Sequence, residues 1–253
     1  MPCKHAKLSK AISMTSDPTQ AFFTLHRDLP REGPGEPADI HWAASVAGTP
    51  QTAQMADVGC GPGGDIGSLL EIAPRGQVTA LDKIAHFVTA ARETWQGDGR
   101  VTVLKADMAV IRNQYDLIWC AGAVYFLGVT EALTGWRKSL TRNGVIAFSE
   151  ICWFTDRPSP RARKLWSGYP AMTDAAGIQQ RVEAAGYEVL DTRPLSDAAW
   201  EAYLTPLEIR IAALRKGADS ALQKVLDEAA EEAACWREHR QEFGYLLSVV
   251  RPK

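Results

Sequence analysis

Short apolar runs alternate with amphipathic stretches through the first 150 residues of this chain. Met55–Val58, Gln77–Asp82, Arg100–Leu104, Tyr115–Cys120 and Gly144–Ser149 are apolar almost throughout. Between them lie stretches of helical periodicity, Ile66–Ala73, Ile84–Trp95 and Thr130–Leu140, the last with Thr130 as a cap. A short turn or helix starts at Asp107, and an earlier helix covers Asp39–Ala47. Strands that are apolar on both faces must be covered on both faces. The pattern therefore predicts an α/β fold with a parallel sheet and right-handed crossovers.

The pattern changes at both ends. Residues 1–35 read as an irregular arm, with an apolar patch at Phe22-Phe23 and a stiff, turn-rich link over 29–35. After Glu150, Pro158–Pro170 is a helix or turn rich in arginine and tryptophan. Thr173–Ala185 is a helix that Gly186 can end. Tyr187–Leu190 and Tyr245–Val250 are two more strands. They flank long helices near Ala198–Lys216 and Ala218–Arg240. These late helices outnumber the crossovers needed. They read as a cap over the strand ends, where ligands bind in open α/β sheets.

Composition narrows the picture. A chain of 253 residues, 46% hydrophobic and 23% charged, suits one large domain with a cap. A net charge of −2 provides no basic face for nucleic acid. Five scattered cysteines contain no Cys-x-x-Cys pair and no zinc spacing with histidine. Reduced thiols, the lack of a signal core and the lack of an apolar run of about 20 residues predict a soluble, cytoplasmic protein without a membrane partner.

The candidate chemistry starts at Met55-Ala-Asp-Val-Gly-Cys-Gly-Pro-Gly-Gly-Asp65. A strand, a glycine turn and a helix in that order let a ligand lie against bare backbone, with helix-start amides facing it. Gly59-x-Gly61-x-x-Gly64 fits the dinucleotide fingerprint. Asp82 follows at the spacing of a ribose-binding acid, about 20 residues on. Three features point away from a dinucleotide. Asp57 stands where a pyrophosphate would be repelled and an ammonium attracted. Asp107, in Lys105-Ala-Asp-Met108, suits an adenine amino group, with Met108 against the ring. The last strand of the chain carries no second glycine loop. The implied ligand has adenosine and an amino acid but no phosphate, which is S-adenosylmethionine.

The set Asp57, Gly59, Gly61, Gly63, Asp82, Lys83 and Asp107 resembles the cofactor motifs of class I S-adenosylmethionine-dependent methyltransferases over about residues 50–150. A narrower likeness covers nearly the whole chain. Leu-Pro-Arg-x-Gly-Pro-Gly at 29–35, Tyr-Asp-Leu-Ile-Trp at 115–119, Gly-Ala-Val-Tyr at 122–125, Ser-Glu at 149–150 and Tyr-Pro at 169–170 carry it. They resemble a group of bacterial small-molecule methyltransferases of undefined substrate. The resemblance implies a Rossmann-like, seven-stranded, mostly parallel sheet with an antiparallel last strand, helices on both faces and helical insertions. It divides the chain into an arm or lid (1–40), a cofactor-binding half (41–152) and the rest of the sheet with its cap (153–253), within one domain. Relatives tend to have an acid before the Gly-Ala pair, and Ala121 stands there instead.

In this reading Gly59, Cys60, Gly61 and Gly63 carry the methionine part of the cofactor on backbone, and Asp57 attracts its ammonium. Asp82 takes the ribose hydroxyls, Lys83 or Ile84 flanks the adenine, and Asp107 and Met108 hold its edge and face. Cys120 to Gly122 pass near the sulfonium, and Arg31 reaches the cofactor carboxylate if the arm folds over. Methyl transfer needs alignment and exclusion of water, with a general base only for a protonated acceptor. Glu150 and His26 are the candidate bases, and Tyr125 is an orienting group. The partner is a small-molecule methyl acceptor. No metal is expected, because no carboxylate cluster follows the fourth strand. No Asn-Pro-Pro-Tyr or Asp-Pro-Pro-Tyr run follows it either. Two other readings stay open: an NAD-dependent oxidoreductase, and a non-catalytic protein that binds S-adenosylmethionine.

Overall fold

A computed structural model describes residues 18–253. The part of the expected arm before Pro18 lies outside the described residues.

The chain enters through α1 (Pro18–His26) and α2 (Pro37–Ala47). It then alternates β1 (Gln54–Val58), α3 (Ile66–Ile72), β2 (Gln77–Asp82), α4 (Ala85–Trp95), β3 (Val101–Lys105) and β4 (Tyr115–Cys120). After α5 (Val129–Trp136) comes β5 (Leu140–Trp153), then α6 (Pro160–Trp166), the two-residue β6 (Thr173–Asp174), α7 (Ala175–Ala184) and β7 (Tyr187–Pro194). Two long helices, α8 (Asp197–Arg215) and α9 (Ser220–His239), lead into β8 (Phe243–Pro252).

The sheet runs β3-β2-β1-β4-β5-β8-β7, with β6 added beside the end of β5. Strands β1 to β5 pair in parallel, and β8 is antiparallel to both β5 and β7. This is the expected seven-stranded sheet with a reversed last strand, plus a short eighth strand. The chain order reverses between β1 and β4, which opens a crevice at the carboxyl ends of these strands.

Alternation along the central strands feeds two cores. Ile118, Cys120, Ile146 and Phe148 join Trp136 and Tyr187 on one face. Met55, Leu117, Trp119, Val145 and Ala147 pack against Ile66 and Leu69 on the other. Both faces are buried, as the apolar runs require.

A third core builds the cap from α1, α6, α8 and α9 over Phe243 and Tyr245. Trp200 and Trp236 stack at 4.8 Å there. Arg237 of α9 donates to both Glu201 and Glu208 of α8, at 2.6–2.8 Å, which fixes the two long helices to each other.

Two local expectations are corrected. Residues 18–26 are helical rather than irregular. Pro18 opens the helix without losing a bond, and Phe22 and Leu25 are buried. Thr130 does not cap α5. The helix starts after Gly128 (φ 92°), and the Thr130 hydroxyl donates to the Arg181 carbonyl at 3.2 Å. Of the turn or helix expected from Asp107, a turn forms.

Candidate active site

The glycine loop is fixed to the end of β2. The amides of Gly59 and Cys60 both donate to the Leu81 carbonyl, at 2.9 and 3.1 Å. The Gly61 amide donates to Asp82 Oδ2 at 3.0 Å, and Asp82 Oδ1 accepts from the Ile84 amide at 2.7 Å. Gly59 and Gly61 have φ of 76° and 53°, a region that side chains disfavour. A Cβ on Gly59 would stand 2.7 Å from the Ala123 Cβ. Backbone alone fits between β1 and the end of β4.

A cavity of about 610 Å³ opens above this loop, a size suited to a small-molecule ligand. Of the residues singled out from the sequence, its wall holds Arg31, Asp57, Gly59, Cys60, Gly61, Asp82, Lys83, Ile84, Asp107, Met108 and Tyr125. Ala121 and Gly122, at the end of β4, also line it. Phe22 and Phe23 of α1 line it as well.

Acids dominate its polar lining. Asp57 is 3% exposed, and its Oδ2 is enclosed with no hydrogen-bond partner among the described residues. Burial, with Asp65 and Asp82 nearby, pushes its carboxyl well above the usual carboxylate range, against the pull of Arg31. Burial also raises Asp82, although backbone donors from Ile84 and Gly61 hold it down. Asp107, by contrast, lies near solvent. It accepts from the Ala109 amide at 2.9 Å, which lowers its pKa, and it pairs with Lys83 at 3.4 Å.

Some candidates stand elsewhere. Cys120 is fully buried in the core behind the wall, and burial raises its thiol pKa. Gly63 faces away from the cavity, toward Ile66, Ala91 and Trp95, and Gly64 lines the cavity in its place. Glu150 lines neither this cavity nor its neighbour. Its Oε1 accepts from the Tyr169 hydroxyl at 2.9 Å, its Oε2 is enclosed without a partner, and burial pushes it to about 7. Tyr169 in turn meets Tyr125 edge to face, with ring centroids 5.9 Å apart. Glu150 therefore reaches the wall only through two tyrosines.

His26 is not a solvated arm residue. It is 5% exposed, stacks on Phe22 and holds Glu32 Oε2 at 2.6 Å. It lines a smaller cavity of about 40 Å³, with Tyr203, Leu207, Ala229, Glu232 and Tyr245. This second cavity shares Phe22, Glu32, Gly33, Pro34, Gly122 and Tyr125 with the large one.

Two site residues are not apparent in the sequence. Glu32 sits at the unspecified position of Leu-Pro-Arg-x-Gly-Pro-Gly, and a Cβ on Gly61 would stand 3.3 Å from its Cγ. Asp65 closes the glycine motif but does not cap α3. It accepts from Arg31 at 3.1 Å and from the Trp119 indole at 2.8 Å. An acid ending a glycine loop is the one signal for Asp65. Nothing in the chain order points to Glu32.

Residues 55–144 match a family model described as a methyltransferase domain. The chain carries a methyltransferase domain. Among solved structures, a methyltransferase from Geobacter sulfurreducens crystallised with S-adenosylhomocysteine is 18% identical, with a TM-score of 0.76, over 92% of this chain and 98% of that one. One from Thiobacillus denitrificans, with the same ligand, is 17% identical, with a TM-score of 0.77, over 96% and 100%. A cyclopropane synthase from Mycobacterium tuberculosis is 14% identical, with a TM-score of 0.72, over 91% and 93%. At these identities the likeness shows the fold alone, over 91–96% of this chain. No curated protein matches this sequence. The methyltransferase domain spans the glycine loop, Asp82 and Asp107, the same stretch that carries the sequence resemblance.

Proposed function

We propose that this protein transfers a methyl group from S-adenosylmethionine to a small-molecule acceptor. The observation that carries the reading is the acidic cavity over the glycine loop. Asp57, Asp65, Asp82 and Glu32 line it, two of them with an enclosed, unpartnered oxygen. Like charges in a low-dielectric pocket raise one another's pKa. A cation relieves that cost, and a phosphate increases it. The methyltransferase match weighs against the NAD-dependent alternative in the same direction.

The residues present fit the cofactor. Asp57 Oδ2 is an open acceptor for an ammonium, and the bare backbone at Gly59 and Gly61 leaves the crevice clear. When bound, S-adenosylmethionine supplies an electrophilic methyl carbon on a positive sulfur. The glycine loop would hold the amino-acid half, and Arg31, paired with Asp65, would meet its carboxylate. Asp82 already spends one acceptor site of each oxygen on backbone, and its remaining lone pairs take the ribose hydroxyls. Asp107 and Met108 bound the adenine end. Phe22 and Phe23 exclude water from the reacting centre. The acceptor occupies the space toward Tyr125 and the smaller cavity. We place the reaction in the cytoplasm, on the free thiols of Cys60, Cys120, Cys152 and Cys235. Among the described residues no helix is long and apolar enough to cross a membrane.

Thermal unfolding tests this reading. S-adenosylhomocysteine at one hundred times its Kd stabilises the native state by about 2.7 kcal/mol, and NADH gives no shift. Stabilisation by NADH alone overturns it.

A further inference from the structure

The smaller cavity differs in chemistry from the cofactor crevice beside it. Its walls carry four aromatic rings, Phe22, Tyr125, Tyr203 and Tyr245, and two carboxylates, Glu32 and Glu232. Among the described residues no lysine or arginine lines it. Glu32 belongs to both cavities. His26 occupies one of its oxygens at 2.6 Å, and the other is enclosed without a hydrogen-bond partner among the described residues. A space of about 40 Å³ admits a head group rather than a ring.

Resting on the methyltransferase reading, we propose that this cavity receives the ammonium head of a small amine, which is the methyl acceptor. Aromatic faces attract a cation, and a carboxylate with a spare buried oxygen gains a charge-assisted hydrogen bond from it. An acid acceptor would bring a third carboxylate against Glu32 and Glu232. An alcohol leaves the aromatic walls without a charge to stabilise. Burial, with Asp82 nearby, pushes Glu32 well above the usual carboxylate range, so it is able to take a proton. The chemistry then balances. The ammonium gives its proton to Glu32, the nitrogen lone pair forms the new N–C bond, and the C–S bond breaks with its electron pair left on sulfur. The product leaves as an ammonium with one more carbon, and Glu32 returns to water the proton it took, which restores the site.

The test is calorimetric titration of the full chain, already saturated with S-adenosylhomocysteine, with n-propylamine, n-propanol and propionate. The proposal predicts saturable binding of the amine at least tenfold tighter than either analogue. It also predicts a loss of tenfold or more in amine affinity in Glu32→Gln. If that variant does not fold, Glu232→Gln on the facing helix shows a smaller loss of the same sign. Equal or tighter binding of the alcohol or the acid overturns the amine assignment, as does an absence of amine binding. If S-adenosylhomocysteine itself fails to bind, the methyltransferase reading falls instead, so the two failures are distinguishable.

Discussion

Arg31 and Asp65 pair at 3.1 Å across 34 positions of sequence, tying the turn after α1 to the start of α3. Both side chains are largely buried, at 14% and 12% exposed. The bond holds the Leu29–Gly35 turn against the glycine loop, and the same guanidinium caps the Gly33 carbonyl at 2.6 Å. Arg31→Ala leaves Asp65 with the Trp119 indole as its hydrogen-bond donor. We expect a loss of about 2 kcal/mol in urea unfolding, the usual cost of a charged hydrogen bond. We also expect S-adenosylhomocysteine affinity to fall roughly tenfold, because the cation assigned to the ligand carboxylate is gone. Unchanged affinity would remove Arg31 from the cofactor site.

Asp57 shows a conflict between stability and binding. Its folded-state pKa is raised by burial and by neighbouring acids. The stability it contributes is therefore present below its unfolded pKa and is lost as pH rises through the folded value. Asp57→Asn cannot ionise. The ligand-free variant should melt about 2–4 °C higher, while S-adenosylhomocysteine binding weakens by at least an order of magnitude. A variant that is both more stable and equally tight in binding would contradict the assigned role.

Gly59→Ala tests the backbone cradle. The new Cβ meets the Ala123 Cβ at 2.7 Å and needs a φ of 76°. The left-handed conformation alone costs about 1–2 kcal/mol, and relief of the contact must displace the wall at the end of β4. Circular dichroism melts should show the destabilisation. Binding of S-adenosylhomocysteine should fall below detection.

Much of this architecture is legible in the order of amino acids alone. The apolar runs of β1, β2 and β4, and that of the half-exposed edge strand β3, have sharp ends that agree with the structure to within one or two residues. The end of β5 is less clear. The strand continues past Ser149 through Glu150 to Trp153 because β8 covers it, and a buried acid inside a strand breaks the apolar pattern. Helix α1 is hidden because its nine residues form only two turns, and Leu25 and His26 face helices distant in sequence. For the site, Asp57, Asp82 and Asp107 are visible because strand ends fix their positions. Glu32 and Tyr203 come together only when the cap folds over, and no local pattern encodes that meeting.

Glu150 gives a pH dependence with a definite sign. Its carboxyl is raised from 4.5 to about 7 by burial. The folded state therefore holds a proton that the unfolded state has released, and stability falls as pH rises between those values. The span is worth on the order of 3 kcal/mol. Glu150→Gln keeps an acceptor for the Tyr169 hydroxyl and cannot ionise. Its urea stability should fall less steeply than that of the parent protein from about pH 5 to about pH 8, because the share of Glu150 is gone while the other buried acids still titrate. Parallel slopes in the two proteins would show that Glu150 is ionised in the native state throughout.

The claim on which all of this depends is that the acids over the glycine loop select a phosphate-free nucleoside bearing an ammonium group. Side-by-side calorimetric titrations with S-adenosylhomocysteine, methylthioadenosine and NADH test it most directly. The account predicts that S-adenosylhomocysteine binds roughly a hundredfold or more tighter than methylthioadenosine, which lacks the amino-acid half, and that NADH gives no heat of binding. Equal affinity for the two adenosyl thioethers, or a saturable signal with NADH, would contradict it.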